Sequence, residues 1–214
     1  MNTRSPAVAP KRPRARRGEG EKLRDYIMEA AEELLISTGS VEAVSIRAVA
    51  DAVGVTAPSI YMHFADKNDL IFAVCEKHFQ KFDEFLEEAG SASDDPLESL
   101  FLRGRAYVRF GLQNPEQYRI LFMTKPALTP ERFQDEGMIE RMVAFQHLIE
   151  AVERCIEGGA FDGDPLELSL LFWSYAHGLT SLLISKPDFP WPDVDRLIER
   201  TFRLPISGLQ QERS

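Results

Sequence analysis

The sequence offers little from which to build a secreted scaffold, a membrane protein or a hydrolytic enzyme. Two cysteines, Cys75 and Cys155, stand eighty positions apart in 214 residues, with no Cys-x-x-Cys partner. A disulfide framework and a structural zinc site are thereby excluded, and the thiols read as buried groups of a protein in a reducing cytoplasm. No apolar run approaches the roughly 18 residues that span a bilayer, and no apolar leader follows the N-terminal charges, so no membrane partner is expected. The Gly-rich phosphate loop, the Gly-x-Ser-x-Gly elbow, the His-Glu-x-x-His pair and a strand-borne carboxylate pair are all missing, which points away from an enzyme and from any cofactor. Strand-like alternation persists nowhere, and there is no internal repeat.

What is present is an apolar content of 44%, ordinary for a chain that buries a core, and a lopsided charge. Residues 1–24 carry eight basic residues against Glu19 and Glu21, or +6, so the overall −9 leaves −15 on the remainder. Prolines and the lack of apolar periodicity before Leu23 make residues 1–22 a flexible arm. Arg12, Arg14, Arg16 and Arg17 suit a DNA phosphate backbone; a solvated tail is the alternative.

Everything after the arm reads as helix. Leu23, Ile27, Ala30, Ala31, Leu34 and Leu35 share one face of a first helix that Gly39 ends. Ser45 caps a second helix to about Val53, Gly54 supplies a sharp turn, and Thr56 caps a third with Pro58 in its first turn. A fourth opens at Asp66 and runs to about Glu88. "GSASDDP" at 90–96 is a boundary, and five further helical stretches follow at roughly 97–113, 115–123, 130–157, 164–185 and 191–208.

Two helices joined by a Gly-containing turn of three or four residues form a helix-turn-helix, whose second helix enters the major groove. In "TAPSIYMHF" the apolar anchors Ile60 and Phe64 face inward, which turns Ala57, Pro58, Ser59, Tyr61 and His63 outward. A tight corner in a helical core is the bland reading; Tyr61, Met62 and His63 exposed beside a capped start count against it.

The order "SIRAVADAVGVTAPSIYMHFADKNDLI" resembles the DNA-binding domain of the TetR (tetracycline repressor) family of bacterial transcription regulators. The resemblance covers about residues 23–75 and is carried best by "IYMHFADKNDL". It implies an all-α homodimer of about nine helices per chain: a helix-turn-helix domain at 23–68, and an effector-binding and dimerisation domain at 69–214. By position it implies DNA contacts from Ser45, Arg47, Ala57, Pro58, Ser59, Tyr61, His63 and Lys67. Ala57 and Met62 offer no hydrogen bond, so base reading leans on Arg47, Ser59 and thymine methyls, while Tyr61 and His63 suit phosphates. Residues 25–80 hold only Arg47, Lys67 and Lys77 against nine acids. The helix starts at Ser45, Thr56 and Asp66 can offer backbone N–H groups to phosphates, but counterion-release affinity has to come from elsewhere, and the basic arm is its expected source.

"NPEQYRILFM" and "LLFWSYAHGLTSLL" resemble a TetR subgroup with a Trp-His-Gly signature, here Trp173, His177 and Gly178. Phe101, Tyr107, Phe110, Phe122, Met123, Phe145, Trp173 and His177 are candidate pocket residues, though their spacing is equally that of a packed core. Fourteen Phe and six Met favour a small hydrophobic or aromatic effector. The nearly all-round apolar segment 166–184 and the helix at 194–209 are expected to pair with their symmetry mates. The reading is a cytoplasmic repressor on a near-palindromic double-stranded operator, relieved by effector; a helical protein-binding adaptor is the alternative. Cys75 and His78, at i and i+3, are a minor metal or redox candidate, and no metal is expected.

Overall fold

The computed structural model describes residues 19–123 and 143–212. Among them the secondary structure is helical throughout: α1 Glu19–Thr38, α2 Ile46–Val53, α3 Ala57–Tyr61, α4 Lys67–Gly90, α5 Pro96–Gln113, α6 Pro115–Tyr118, α7 Val143–Glu157, α8 Pro165–Ser185 and α9 Val194–Glu212. The arm, including Arg12, Arg14, Arg16 and Arg17, lies outside the described residues, as do residues 130–142 of the helix expected at 130–157.

Local chemistry sets the boundaries. Gly39, at φ 62°, sends its N–H to Leu35 O and closes α1. Asp66, Asp95 and Asp164 each accept the N–H three residues on (Asp69, Glu98, Glu167) at 2.8 Å, fixing the starts of α4, α5 and α8. The stretch expected at 115–123 is two structures: α6 passes directly into a π-helical segment, Arg119–Met123. The last helix starts later than expected because Asp193 takes Arg196 N–H as its cap. It also runs past Gly208 to Glu212, with Pro205 inside it.

Three cores follow. The first joins α1, α2, α3 and the first half of α4 through Ile27, Ala31, Leu35, Val49, Ile60, Phe64, Leu70 and Val74. The second is aromatic and draws on α4, α5, α6, α8 and α9, with Phe82, Tyr107, Phe110, Tyr118, Leu183 and Phe202. The third, around Val152, Cys155, Phe161, Leu168 and Phe172, holds α7 against α8. α4 therefore belongs to two cores, Leu70 to Val74 in the first and Phe82 in the second. One residue crosses in the other direction: Ile120, from the π-helical segment, is buried in the first core.

α8 corrects one expectation. Its 21 residues are long and apolar enough to cross a membrane by length and composition, with a mean hydropathy of 1.2 over its most apolar window. The composition has a packing reason. Leu168, Phe172, Ala176, Leu179 and Leu183 are buried inside the protein, while Leu166, Leu170, Leu171, Tyr175 and Leu182 remain exposed on other faces. At the junction of α5 and α8, Gly111 permits close approach, since a Cβ there would collide with Thr180 Cγ2 and press on the Tyr118 ring.

Candidate functional site

The reading head is built around one turn. α2 ends where Gly54 enters the left-handed region at φ 75°. Gly54 N–H reaches Ala50 O and Asp51 O, and Val55 N–H returns to Ala50 O at 2.9 Å, a Schellman closure that turns the chain within three residues. Ala50 is buried at this crossing and α3 starts at Ala57. Ser45 caps α2 as its position implies, its Oγ accepting Ala48 N–H at 3.1 Å.

Thr56 differs from expectation. It occupies the cap position of α3, but its hydroxyl meets Ser59 Oγ at 3.0 Å and accepts no backbone N–H. Ile60 and Phe64 are buried as anchors, which leaves Pro58 exposed, Tyr61 55% exposed and Met62 84% exposed. Ser59 and His63 are half-buried. Ala57 is half-buried against the first core, so only part of it is available to a groove. Ser45 and Arg47 are exposed, and Lys67 is half-buried at the start of α4, its Nζ donating to Glu42 O at 3.5 Å. The surface around α3 therefore presents Ser45, Arg47, Pro58, Tyr61 and Met62 openly, with Thr56 and Ser59 tied to each other.

The second candidate site is the aromatic core. Phe82 packs edge-on against Tyr107 and Phe110 at 5.1 Å and against Phe122 at 5.4 Å. Tyr118 packs on Phe122 at 4.8 Å and stacks near His177 at 5.9 Å. Phe145 reaches Trp173 at 5.7 Å. Of the eight pocket candidates, Tyr107, Phe110, Phe122, Phe145, Trp173 and His177 are linked through these rings. Met123 is 42% exposed at the end of the π-helical segment, and Phe101 lies under the Arg203 guanidinium at 4.3 Å.

Tyr118, Phe79 and Phe82 belong to the cluster but were not among the pocket candidates, because an aromatic at helical spacing looks the same in a pocket and in a core. A polar chain also runs through these rings. Trp173 Nε1–H donates to Tyr107 OH at 3.2 Å, Tyr107 OH lies 3.2 Å from Tyr118 OH, and Tyr118 OH lies 2.7 Å from His177 Nδ1. Indole can only donate, so Tyr107 OH accepts from Trp173 and keeps its own proton for a second bond; either phenol can donate between Tyr107 and Tyr118, and the roles of Tyr118 OH and His177 Nδ1 follow the tautomer of the ring. Burial holds the His177 pKa below its ordinary value, which favours the neutral ring. Burial pushes Tyr118 up to about 12, so its phenol stays protonated as a donor.

A further cluster was also missed. Asp83, Glu87 and His147 bring three ligand atoms together, His147 Nδ1 lying 2.9 Å from Asp83 and 3.5 Å from Glu87. These groups could hold a cation, yet Glu87 is already engaged by the buried Arg103, whose Nη2 donates to it at 2.9 Å. Asp83 and Glu87 stand four apart on α4, but their convergence with His147 of α7 has no sequence spacing. Cys75 and His78 do not converge: His78 Nε2 faces Glu32 at 3.2 Å, and burial pushes the Cys75 thiol up to about 11.

Comparison with known proteins follows this division. Residues 27–74 match the model of bacterial regulatory proteins of the tetR family, and residues 100–204 match a Tetracyclin repressor-like C-terminal domain. The C-terminal match does not single out a Trp-His-Gly subgroup. Over 126 residues the chain is 26% identical to the HTH-type transcriptional activator FasR of Mycolicibacterium smegmatis, an alignment that spans 56% of this chain and 57% of that protein. A TetR family transcription regulator from Marinobacter aquaeolei shares the fold with TM-score 0.68 at 20% identity, covering 90% of this chain and 97% of that one. The fatty acid degradation regulator FadR from Bacillus halodurans does so with TM-score 0.68 at 17% identity, covering 86% and 98%. Regulators of this family are not enzymes; they bind DNA operators, act as dimers and respond to small-molecule effectors. With one family model on the reading head and another on the aromatic and distal cores, this chain belongs to the TetR family of DNA-binding transcription regulators.

Proposed function

We propose that the chain is a homodimeric repressor whose grip on a near-palindromic operator is relieved by a small hydrophobic or aromatic effector. The observation that carries the effector class is the aromatic cluster around Tyr107, Phe110, Phe122, Phe145, Trp173 and His177, whose main polar feature is the Trp173–Tyr107–Tyr118–His177 chain. Such a lining favours a ligand that is mostly apolar and carries few hydrogen-bonding groups. The reading surface supports the operator contacts: Arg47, Ser59 and the apolar Met62 for bases, Tyr61, His63 and Lys67 for phosphates.

Dimerisation is supported by the outer face of α8. Leu171, Tyr175, Gly178 and Leu182 recur at spacings of four, three and four residues, and the three side chains are exposed. A Cβ at Gly178 would meet nothing within the chain, so a partner helix can approach there. Leu204 of α9 extends the apolar surface at 60% exposure. Two heads one DNA turn apart, about 34 Å, require a two-fold operator.

The test is selection of bound duplexes from a random pool at physiological salt. A near-palindrome with half-sites one turn apart is the expected product, and no enriched sequence would overturn the base-reading role. Activation is a second reading, favoured by the name of the mycobacterial relative, an activator. In vitro transcription from the selected site separates the two.

A further inference from the structure

The reading head is short of positive charge, which makes the position of each cation informative. Residues 19–80 hold Lys22, Arg24, Arg47, Lys67 and Lys77 against eleven acids. Arg24, counted by sequence among the basic residues of 1–24 but beyond the arm, lies in the second turn of α1. Its guanidinium lies over the Phe64 ring, 5.0 Å from the centroid, and its Nη1 reaches Met28 Sδ at 3.2 Å. Phe64 is fixed to the reading helix, since its N–H bonds Ile60 O at 3.0 Å and its ring is buried in the first core. Arg24 is exposed, and among the described residues no carboxylate pairs with it.

We infer that Arg24 is a DNA-positioning residue: a phosphate contact held beside the last turn of the reading helix by its stack on Phe64. An exposed arginine in a domain rich in carboxylates ordinarily finds one. This one is instead oriented by an aromatic face and a thioether, partners that fix the plane of the guanidinium while leaving its charge and most of its N–H donors unspent. A planar fork with unused donors suits a phosphate oxygen pair. Lys67 is held on the same head through Glu42 O, so Phe64 and the start of α4 each carry one anchored cation. Sequence information is left to Arg47 and α3; Arg24 supplies register and affinity.

The inference rests on the family's DNA-binding role, and the experiment separates the two. Full-length wild type, Arg24→Gln and Arg24→Lys are titrated with one mixed-sequence duplex of about 30 base pairs, three helical turns, over a series of salt concentrations. Each lost phosphate contact lowers the slope of log K against log salt by about 0.9, so a dimer with both heads changed loses about 1.8. Arg24→Gln is expected to show that loss together with weaker binding of the duplex, and Arg24→Lys to keep most of the slope. Thermal unfolding confirms that each variant is folded. An unchanged slope in a folded Arg24→Gln chain would overturn the proposal and leave Arg24 as a cover for Phe64. If the wild-type chain bound no duplex at all, the DNA-binding role would fall with it.

Discussion

Replacing Ile120 by alanine should damage the reading head although Ile120 belongs to the other half of the chain. Its side chain is 8% exposed and sits in the core formed by α1, α2, α3 and the first half of α4. The change removes three carbon groups, about 2.4 kcal/mol at roughly 0.8 kcal/mol each. Any cavity that fails to collapse adds to this, so a loss of about 2–4 kcal/mol is expected. The position is instructive because Tyr118, two residues earlier, is the buried phenol that meets His177. The segment between them is π-helical, and Arg119 ties it to α8 by donating to Ile184 O at 3.3 Å. A shift at His177 therefore has a direct covalent and packed route to the reading head. The assay is urea unfolding combined with hydrogen exchange: exchange should accelerate in α1 and in the first half of α4. A loss below about 1 kcal/mol, or faster exchange confined to α7–α9, would refute Ile120 as the link.

Three other outcomes follow from the packing. Leu182→Glu places a charge on the outer face of α8, where the single chain leaves Leu182 51% exposed; helicity should be unchanged while sedimentation shows a monomer with weak operator binding, and a persisting dimer would move the interface elsewhere. Tyr118→Phe removes the partner of His177 Nδ1, leaves Tyr107 OH with Trp173 alone, and should lower stability by about 1–3 kcal/mol, read by urea unfolding. Stability should also fall with acid below about pH 6.5, the ordinary histidine value. Burial lowers the folded pKa of both His78, beside Glu32, Lys77 and Lys81, and His177. The unfolded chain thus binds more protons between the folded and unfolded values, stability rises with pH in that window, and it is lost as pH drops through it. His177→Gln should shrink the acid loss in thermal unfolding against pH.

Much of this protein was legible in the order of its residues because the relevant chemistry is local. Ser45, Gly54 and Asp66 cap or turn the chain through bonds to neighbours three or four positions away, so the helix-turn-helix and the start of α4 could be placed from sequence. The same locality explains the small errors: Thr56 found Ser59 Oγ, and Asp193 delayed α9. Periodicity could name the aromatic residues of the second core, but it could not order them, since contact between rings on α4, α5, α6 and α8 depends on how helices cross. The polar chain from Trp173 to His177, the Asp83–Glu87–His147 cluster, the insertion of Ile120 into the reading head and the seat of Arg24 on Phe64 join residues of different elements, from Tyr107 and Tyr118, 11 positions apart, to Tyr107 and Trp173, 66 apart. Backbone hydrogen bonding and capping are short-range and were settled by sequence; side-chain convergence is long-range, and the tertiary packing alone decided it.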